Sequence, residues 1–168
     1  MKKIGILSDT HSYLDTNLQL FFEDCDEIWH AGDIGDISIM DQLSSWKPVR
    51  AVYGNIDDIS AREKYPEYIV IRIEETEILL IHIAGAFGNY NKKITNILKQ
   101  NPKIACIICG HSHILKVQYD EKHKLLYINP GAAGKHGFHQ IRTALKLDIS
   151  NQNIHNLQLV ELGKRGKI

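Results

Sequence analysis

A chain of 168 residues, 43% apolar and 24% charged, has the length and composition of one globular domain spanning residues 1–168. Its formal net charge of zero argues against a dedicated nucleic-acid binder. No apolar run approaches the roughly 18 residues of a membrane span. The three cysteines, and only four residues from Ile4 to Leu7 behind Met1-Lys2-Lys3, fit a reducing cytoplasm without a leader.

The first third alternates strand and helix. Residues 3–8 form an apolar run, after which Leu14, Leu18, Phe21, Phe22 and Cys25 recur at helical spacing, with Asp15 or Ser12 as the cap. A strand over 27–31 ends at Gly32-Asp33, a helix over 37–46 stops before Pro48, and a strand over 49–53 ends at Gly54-Asn55. This β-α-β-α-β order predicts a parallel sheet with its functional loops along one edge. Runs 68–73 and 77–83 then read as an antiparallel hairpin. A helix over 89–100 and a strand over 104–109 come next. Two further hairpins pair 116–119 with 125–128 and 143–149 with 156–162. Helices flanking two sheets are the expected architecture.

Cys106-Ile107-Ile108-Cys109 spells C-x-x-C but lies within the 104–109 strand. Residues three apart on a strand face opposite ways, so the sulfurs are expected to be buried and separate.

Five short motifs follow apolar runs: Asp9-Thr10-His11, Gly32-Asp33, Gly54-Asn55, His82 and Gly110-His111-Ser112-His113. They bring seven oxygen and nitrogen donors, the number that two adjacent divalent ions need. An extended Asp-x-His places both side chains on one side, and Asp33 can bridge two cations through its two oxygens. Two imidazoles at i and i+2 suit Mn²⁺, Fe²⁺, Ni²⁺ or Zn²⁺. Each motif alone has an ordinary reading as a turn, a cap or a core histidine. Five together at strand ends do not. His30, inside its strand, is expected in the core. Asp57 and Asp58 are expected to support the ligands or form turns, and His123 and His155 are expected to be solvated.

In this order the motifs Asp-x-His, Gly-Asp, Gly-Asn-x-Asp, His and Gly-His-x-His resemble the calcineurin-like metallophosphoesterases. The resemblance runs from residue 3 to about 149, and the length and Asn129-Pro130-Gly131 are similar to the small prokaryotic phosphodiesterase branch. It implies an α/β fold, a four-layer α/β/β/α sandwich of two mixed sheets. It also implies two divalent ions, Mn²⁺ foremost, with Ni²⁺, Fe²⁺ or Zn²⁺ as other candidates. Asp9, His11 and His113 would hold the first ion, Asn55, His82 and His111 the second, and Asp33 would bridge them. Asp33, Asn55 and His111 are the expected catalytic positions.

The expected chemistry is hydrolysis of a small phosphate ester, foremost a diester, by a hydroxide bridging ions about 3.5–4 Å apart. Two positions depart from the family pattern. Ile56 stands where many relatives carry a histidine after Gly-Asn, and Ala84 interrupts a His-Gly-His found around the His82 position in some. Both changes remove candidate general acids and predict a bias toward acidic leaving groups such as aryl phosphates. His136 and His139 are the nearest replacements, although exposed loop histidines are the plainer reading. They follow a Gly-rich loop whose amides, with Asn55 and Gly131, are the expected substrate contacts. The alternative function is a non-catalytic protein-interaction scaffold of the same fold. Exposed hairpin surfaces leave room for a homo-oligomer.

Overall fold

A computed structural model describes residues 1–166. The amino-terminal third builds β1 (Lys2–Leu7), α1 (Asn17–Phe21), β2 (Glu27–His30), α2 (Ser38–Trp46), β3 (Val49–Ala51) and α3 (Ile59–Lys64). The middle contributes β4 (Tyr68–Ile73), β5 (Thr76–Ile81), a two-residue pair β6 (Gly85–Ala86) and β7 (Asn89–Tyr90), α4 (Lys92–Gln100) and β8 (Ile104–Ile108). The chain closes with β9 (Leu115–Asp120), β10 (Leu125–Pro130), β11 (Ile141–Ser150) and β12 (Asn153–Lys164).

Two five-stranded sheets result, in the orders β12-β11-β1-β2-β3 and β4-β5-β8-β10-β9. In the first, β1, β2 and β3 run parallel while β11 is antiparallel to β1. In the second, β5, β8 and β10 run parallel between antiparallel edges β4 and β9. Both sheets are therefore mixed, as expected.

Strand alternation sorts the side chains into layers. Ile4, Ile6 and Trp29 of the first sheet meet Ile78, Leu80, Cys106 and Ile108 of the second in a central core. On the outer face of the first sheet, Leu7 and Ile28 pack against Leu18 and Phe22 near α1 and Met40 and Leu43 of α2. Ile94 and Ile97 of α4 cover Leu79, Ile81 and Ile107 on the outer face of the second. The order is helix, sheet, sheet, helix. Each buried aliphatic side chain contributes about 1.5–3 kcal/mol, which pins the strand ends that carry the loops.

Several element bounds differ from the sequence reading for local reasons. Helix α1 is only five residues long. Asp15 accepts the Asn17 N–H and is also bound by Arg142, which holds it outside the helix, while Ser12 accepts the Asp36 N–H instead of capping. Helix α3 was not expected; Asp58 caps it by accepting the Ala61 N–H. Asn91 caps α4 at Ile94, because residues 89–90 are engaged in the small β6–β7 pair.

A one-residue shift between Glu77 and Ile78 leaves Ala105 as the unpaired residue of β8. Cys106 packs in the central core and Cys109 in the outer one, so their sulfurs lie on opposite faces. Burial pushes the Cys25 thiol up to about 11 and the Cys109 thiol up to about 12. No described helix is long and apolar enough to cross a membrane.

Candidate metal centre

Parallel strands deliver their carboxyl ends to one edge, and the two sheets bring those edges together. Loops after β1 and β2 run side by side, with Asp9 N–H on Gly32 O at 3.0 Å and His11 N–H on Asp33 O at 3.1 Å. Within the second sheet, Gly110 N–H after β8 donates to His82 O after β5 at 3.1 Å, and between the sheets His82 Nδ1 lies 2.8 Å from Ala31 O.

All seven donors named from the sequence converge there. Asp9, His11, Asp33 and His113 offer atoms within 4.8 Å of one another, and so do Asp33, His82 and His111. Asp33 belongs to both groups. Asn55 completes the second, its Oδ1 lying 3.1 Å from His82 Nε2 and 2.9 Å from His111 Nδ1. His113 Nε2 is 3.2 Å from Asp9 Oδ1, and His11 Nε2 is 3.7 Å from Asp33 Oδ2.

The Asp9–His11 segment is not extended, contrary to the expectation. Asp9, His11, Ser12, Asp33, His111 and His113 all have positive φ, between 45° and 69°. Left-handed turns, rather than strand alternation, aim these side chains inward. Glycines make room beside them. A Cβ on Gly32 would lie 2.7 Å from His82, and one on Gly54 would lie 2.0 Å from Asp33 Oδ1. Backbone amides steady the carboxylates: His111 N–H donates to Asp9 and Ile56 N–H to Asp33.

The pocket holds more acceptors than its own donors satisfy. Ala31 O only accepts, so His82 Nδ1 carries the hydrogen and its Nε2 lone pair faces Asp33 Oδ1 at 3.2 Å and Asn55 Oδ1 at 3.1 Å. That geometry calls for a proton or a metal cation. Burial works to lower the His82 pKa, but the Asp33 hydrogen bond and the nearby carboxylates outweigh it and raise it. Burial likewise works to raise Asp33, and the His82 bond outweighs it and holds Asp33 below the usual carboxylate range. Burial pushes His11 below its ordinary range against Asp33 and Asp9. His11 Nε2 is buried without any partner. Unpaired nitrogen and oxygen lone pairs converging on two carboxylates are what a divalent cation requires, so the residues fit such an ion.

Other expectations divide. His30 is fully buried, and Asp57 accepts the Gly35 and Gly54 N–H groups at 2.8 and 2.7 Å, bracing both the Asp33 and Asn55 loops. Gly131 has no amide to offer a phosphate: its N–H donates to Asn129 Oδ1 at 3.0 Å. The Ala133 and Gly134 amides are likewise bonded to Ser8 O and Asp9 O. His123 is half-buried and held 2.7 Å from Asp120 rather than solvated, and His155 bonds Ser150 Oγ. His136 stacks on His11, with ring centroids 5.0 Å apart.

Sequence reading passed over a cleft of about 220 Å³ beside Asn55 and His82, lined also by Tyr53, Arg62, Glu67 and Ile83. Arg62 lies over the Tyr53 ring and donates to the carbonyls of Gly54, Asn55 and Asp57. The only sequence signal for it was Arg62 four residues after Asp58, one helical turn past the cap.

Comparison with known proteins agrees with the fold. The family model of the calcineurin-like phosphoesterase superfamily domain matches residues 1–152. A probable metallophosphoesterase of Methanocaldococcus jannaschii is 30% identical over 135 residues, covering 77% of this chain and 67% of the relative. A phosphodiesterase of the same organism is 23% identical over 145 residues, covering 77% and 82%. Among solved structures, a single-mutant crystal structure of Vps29 from Entamoeba histolytica superposes with a TM-score of 0.72 at 16% identity, covering 95% of this chain and 98% of that one.

Proposed function

The chain belongs to the calcineurin-like phosphoesterase superfamily, and from that premise we propose that it is a metal-dependent phosphodiesterase working with two divalent cations. Asp9, His11, Asp33 and His113 would hold one cation, and Asp33, Asn55, His82 and His111 the other. Mn²⁺ is the first candidate, ahead of Ni²⁺, Fe²⁺ and Zn²⁺. When bound, such a pair supplies a water acidic enough to attack at neutral pH and a positive field for the phosphate oxygens.

The chain's own groups do the rest. Asp9 and Asp33 bring two negative charges, fewer than the four positive charges of two divalent ions, so the loaded pocket attracts an anion. Asn55 and His111 stand at its exposed rim, where a substrate oxygen would arrive. Arg62 holds the Gly54–Asn55 backbone from behind, keeping the Asn55 amide oxygen turned inward. His82, closed off by Ala31 O on one side, orients Asp33 and excludes water beneath it.

The observation that carries this reading is His82 Nε2 facing two oxygens, next to a buried His11 Nε2 with no hydrogen-bond partner. A diester is favoured because a phosphodiesterase is among the relatives. The convergence of all seven donors favours catalysis over a scaffold role. Hydrolysis of bis(4-nitrophenyl) phosphate should require added Mn²⁺, stop on chelation, and fall at least about 100-fold in Asp33→Asn and His111→Ala, the upper end of the cost of losing even an outer metal partner. Hydrolysis that ignores chelation, or none with any of the four metals, would refute the proposal.

A further inference from the structure

One loop, residues 134–139, encloses His113. Phe138 stacks on its ring with centroids 5.8 Å apart and planes 20° apart, although Phe138 itself is 81% exposed. His139 meets the same ring edge-on at 5.2 Å. Gly137, with φ +113°, passes so close that a Cβ there would sit 2.2 Å from His113 Nδ1. No other residue type could bring the loop this near.

Inside this enclosure His113 Nδ1 and His139 Nδ1 are 3.3 Å apart, and His139 Nε2 is 3.0 Å from Gly134 O. A carbonyl oxygen only accepts, so His139 Nε2 carries its hydrogen, and in a neutral ring Nδ1 is left as an acceptor. The hydrogen between the two rings then belongs to His113 Nδ1. His113 Nε2 keeps its lone pair, 3.2 Å from Asp9 Oδ1 and turned into the pocket. His82 reaches the same state by a different route, through the backbone carbonyl of Ala31.

We propose that His139 is a positioning residue: it accepts the His113 Nδ1–H, donates to Gly134 O, and so fixes His113 in the tautomer whose Nε2 can bind a cation. The proposal rests on the reading of the pocket as a metal centre. Ligating histidines commonly give their second nitrogen to a carboxylate or a carbonyl. Here a neutral imidazole takes that place and adds no charge beside Asp9. Both nitrogens of His139 are thereby committed, which removes it as the acid that Ile56 fails to supply.

The test is titration of chelator-treated protein with Mn²⁺ by calorimetry, for the wild type, His139→Ala and His139→Gln. The wild type should take up two ions. In His139→Ala one of the two binding events should weaken by about 10–100-fold and the other should not change. Gln, whose amide oxygen can accept from His113 Nδ1–H, should recover part of the loss, and it carries the test if the Ala variant does not fold. Ring-nitrogen NMR of the Zn²⁺-loaded protein should show hydrogen on His113 Nδ1 and none on His139 Nδ1. Unchanged affinity in a folded His139→Ala chain, equal weakening of both events, or hydrogen on His139 Nδ1 would overturn the proposal while leaving the metal centre intact. A wild type that takes up no metal at all would refute the metal centre, and the role of His139 with it.

Discussion

His30 sets a measurable acid limit on the fold. It is wholly buried, its Nδ1 accepts the Gly32 N–H at 3.1 Å, and its Nε2 lies 2.9 Å from Thr10 Oγ1, which itself donates to Ile34 O. The ring must therefore be neutral with its hydrogen on Nε2, and burial pushes its pKa down to about 4. In the unfolded chain a histidine titrates near 6.5. With the folded value below the unfolded one, the unfolded chain binds more protons between those limits, and acid favours unfolding. The stabilisation is complete above about pH 6.5 and gone once the pH has fallen through about 4. A gap of about 2.5 pKa units is worth about 3 kcal/mol, of which about 2 kcal/mol should disappear between pH 7 and pH 5. Urea unfolding followed by the fluorescence of buried Trp29, with chelator present, measures this. His30→Asn keeps an acceptor near Gly32 and does not titrate. It should be less stable than the wild type at pH 7, and the difference should shrink by about 2 kcal/mol at pH 5. Other histidines titrate alike in both proteins and cancel. A difference that stays constant from pH 7 to pH 5 would refute the assignment.

Gly54→Ala should drive a methyl into Asp33, whose Oδ1 lies 2.0 Å from the position a Cβ would take, and lower Mn²⁺ affinity at least about 10-fold in calorimetry. Gly5→Ala, far from the pocket, meets the Phe22 ring at 2.6 Å and should cost about 1–3 kcal/mol in urea unfolding with metal affinity unchanged. Arg142 and Asp15 form a buried pair at 2.6 Å, so Arg142→Ala should cost about 3–5 kcal/mol by thermal or chemical unfolding, because Asp15 is left without its cation. An aryl phosphodiester should be hydrolysed at least about 100-fold faster than an alkyl one, since Ile56 supplies no acid and His139 is committed on both sides; similar rates would point to His136.

Much of the fold was legible because buried strands announce themselves. The runs at Ile4–Leu7, Ile78–Ile81 and Ile104–Ile108 are apolar on both faces, as the centre of a four-layer sandwich requires. What escaped reading depends on contacts distant in sequence. Apolar spacing from Leu14 to Cys25 predicts a three-turn helix. Asp15, though, is claimed by Arg142, 127 residues on, and Asp24 by Lys3 and Lys146, which leaves only five helical residues between them. Helix α3 has no apolar stripe to betray it, only a cap and one buried alanine. The hairpin β11–β12 extends past its apolar stretch because backbone pairing continues through polar residues.

The seven candidate donors stand out in the sequence as residue types, while the backbone that aims them does not. Five of the seven sit at positive φ, a conformation worth about 1–3 kcal/mol of strain at each non-glycine residue, although Asp and His tolerate it better than branched side chains do. Asp33, in one of these turns, meets His82 Nε2 at 3.2 Å, and the Asn55 amide oxygen meets the same nitrogen at 3.1 Å. The packed strand ends hold the loops in this arrangement. Cations held there would satisfy the oxygen and nitrogen atoms that the loops crowd together. On this reading, the affinity of the pocket for cations is drawn from the hydrophobic cores that hold it open.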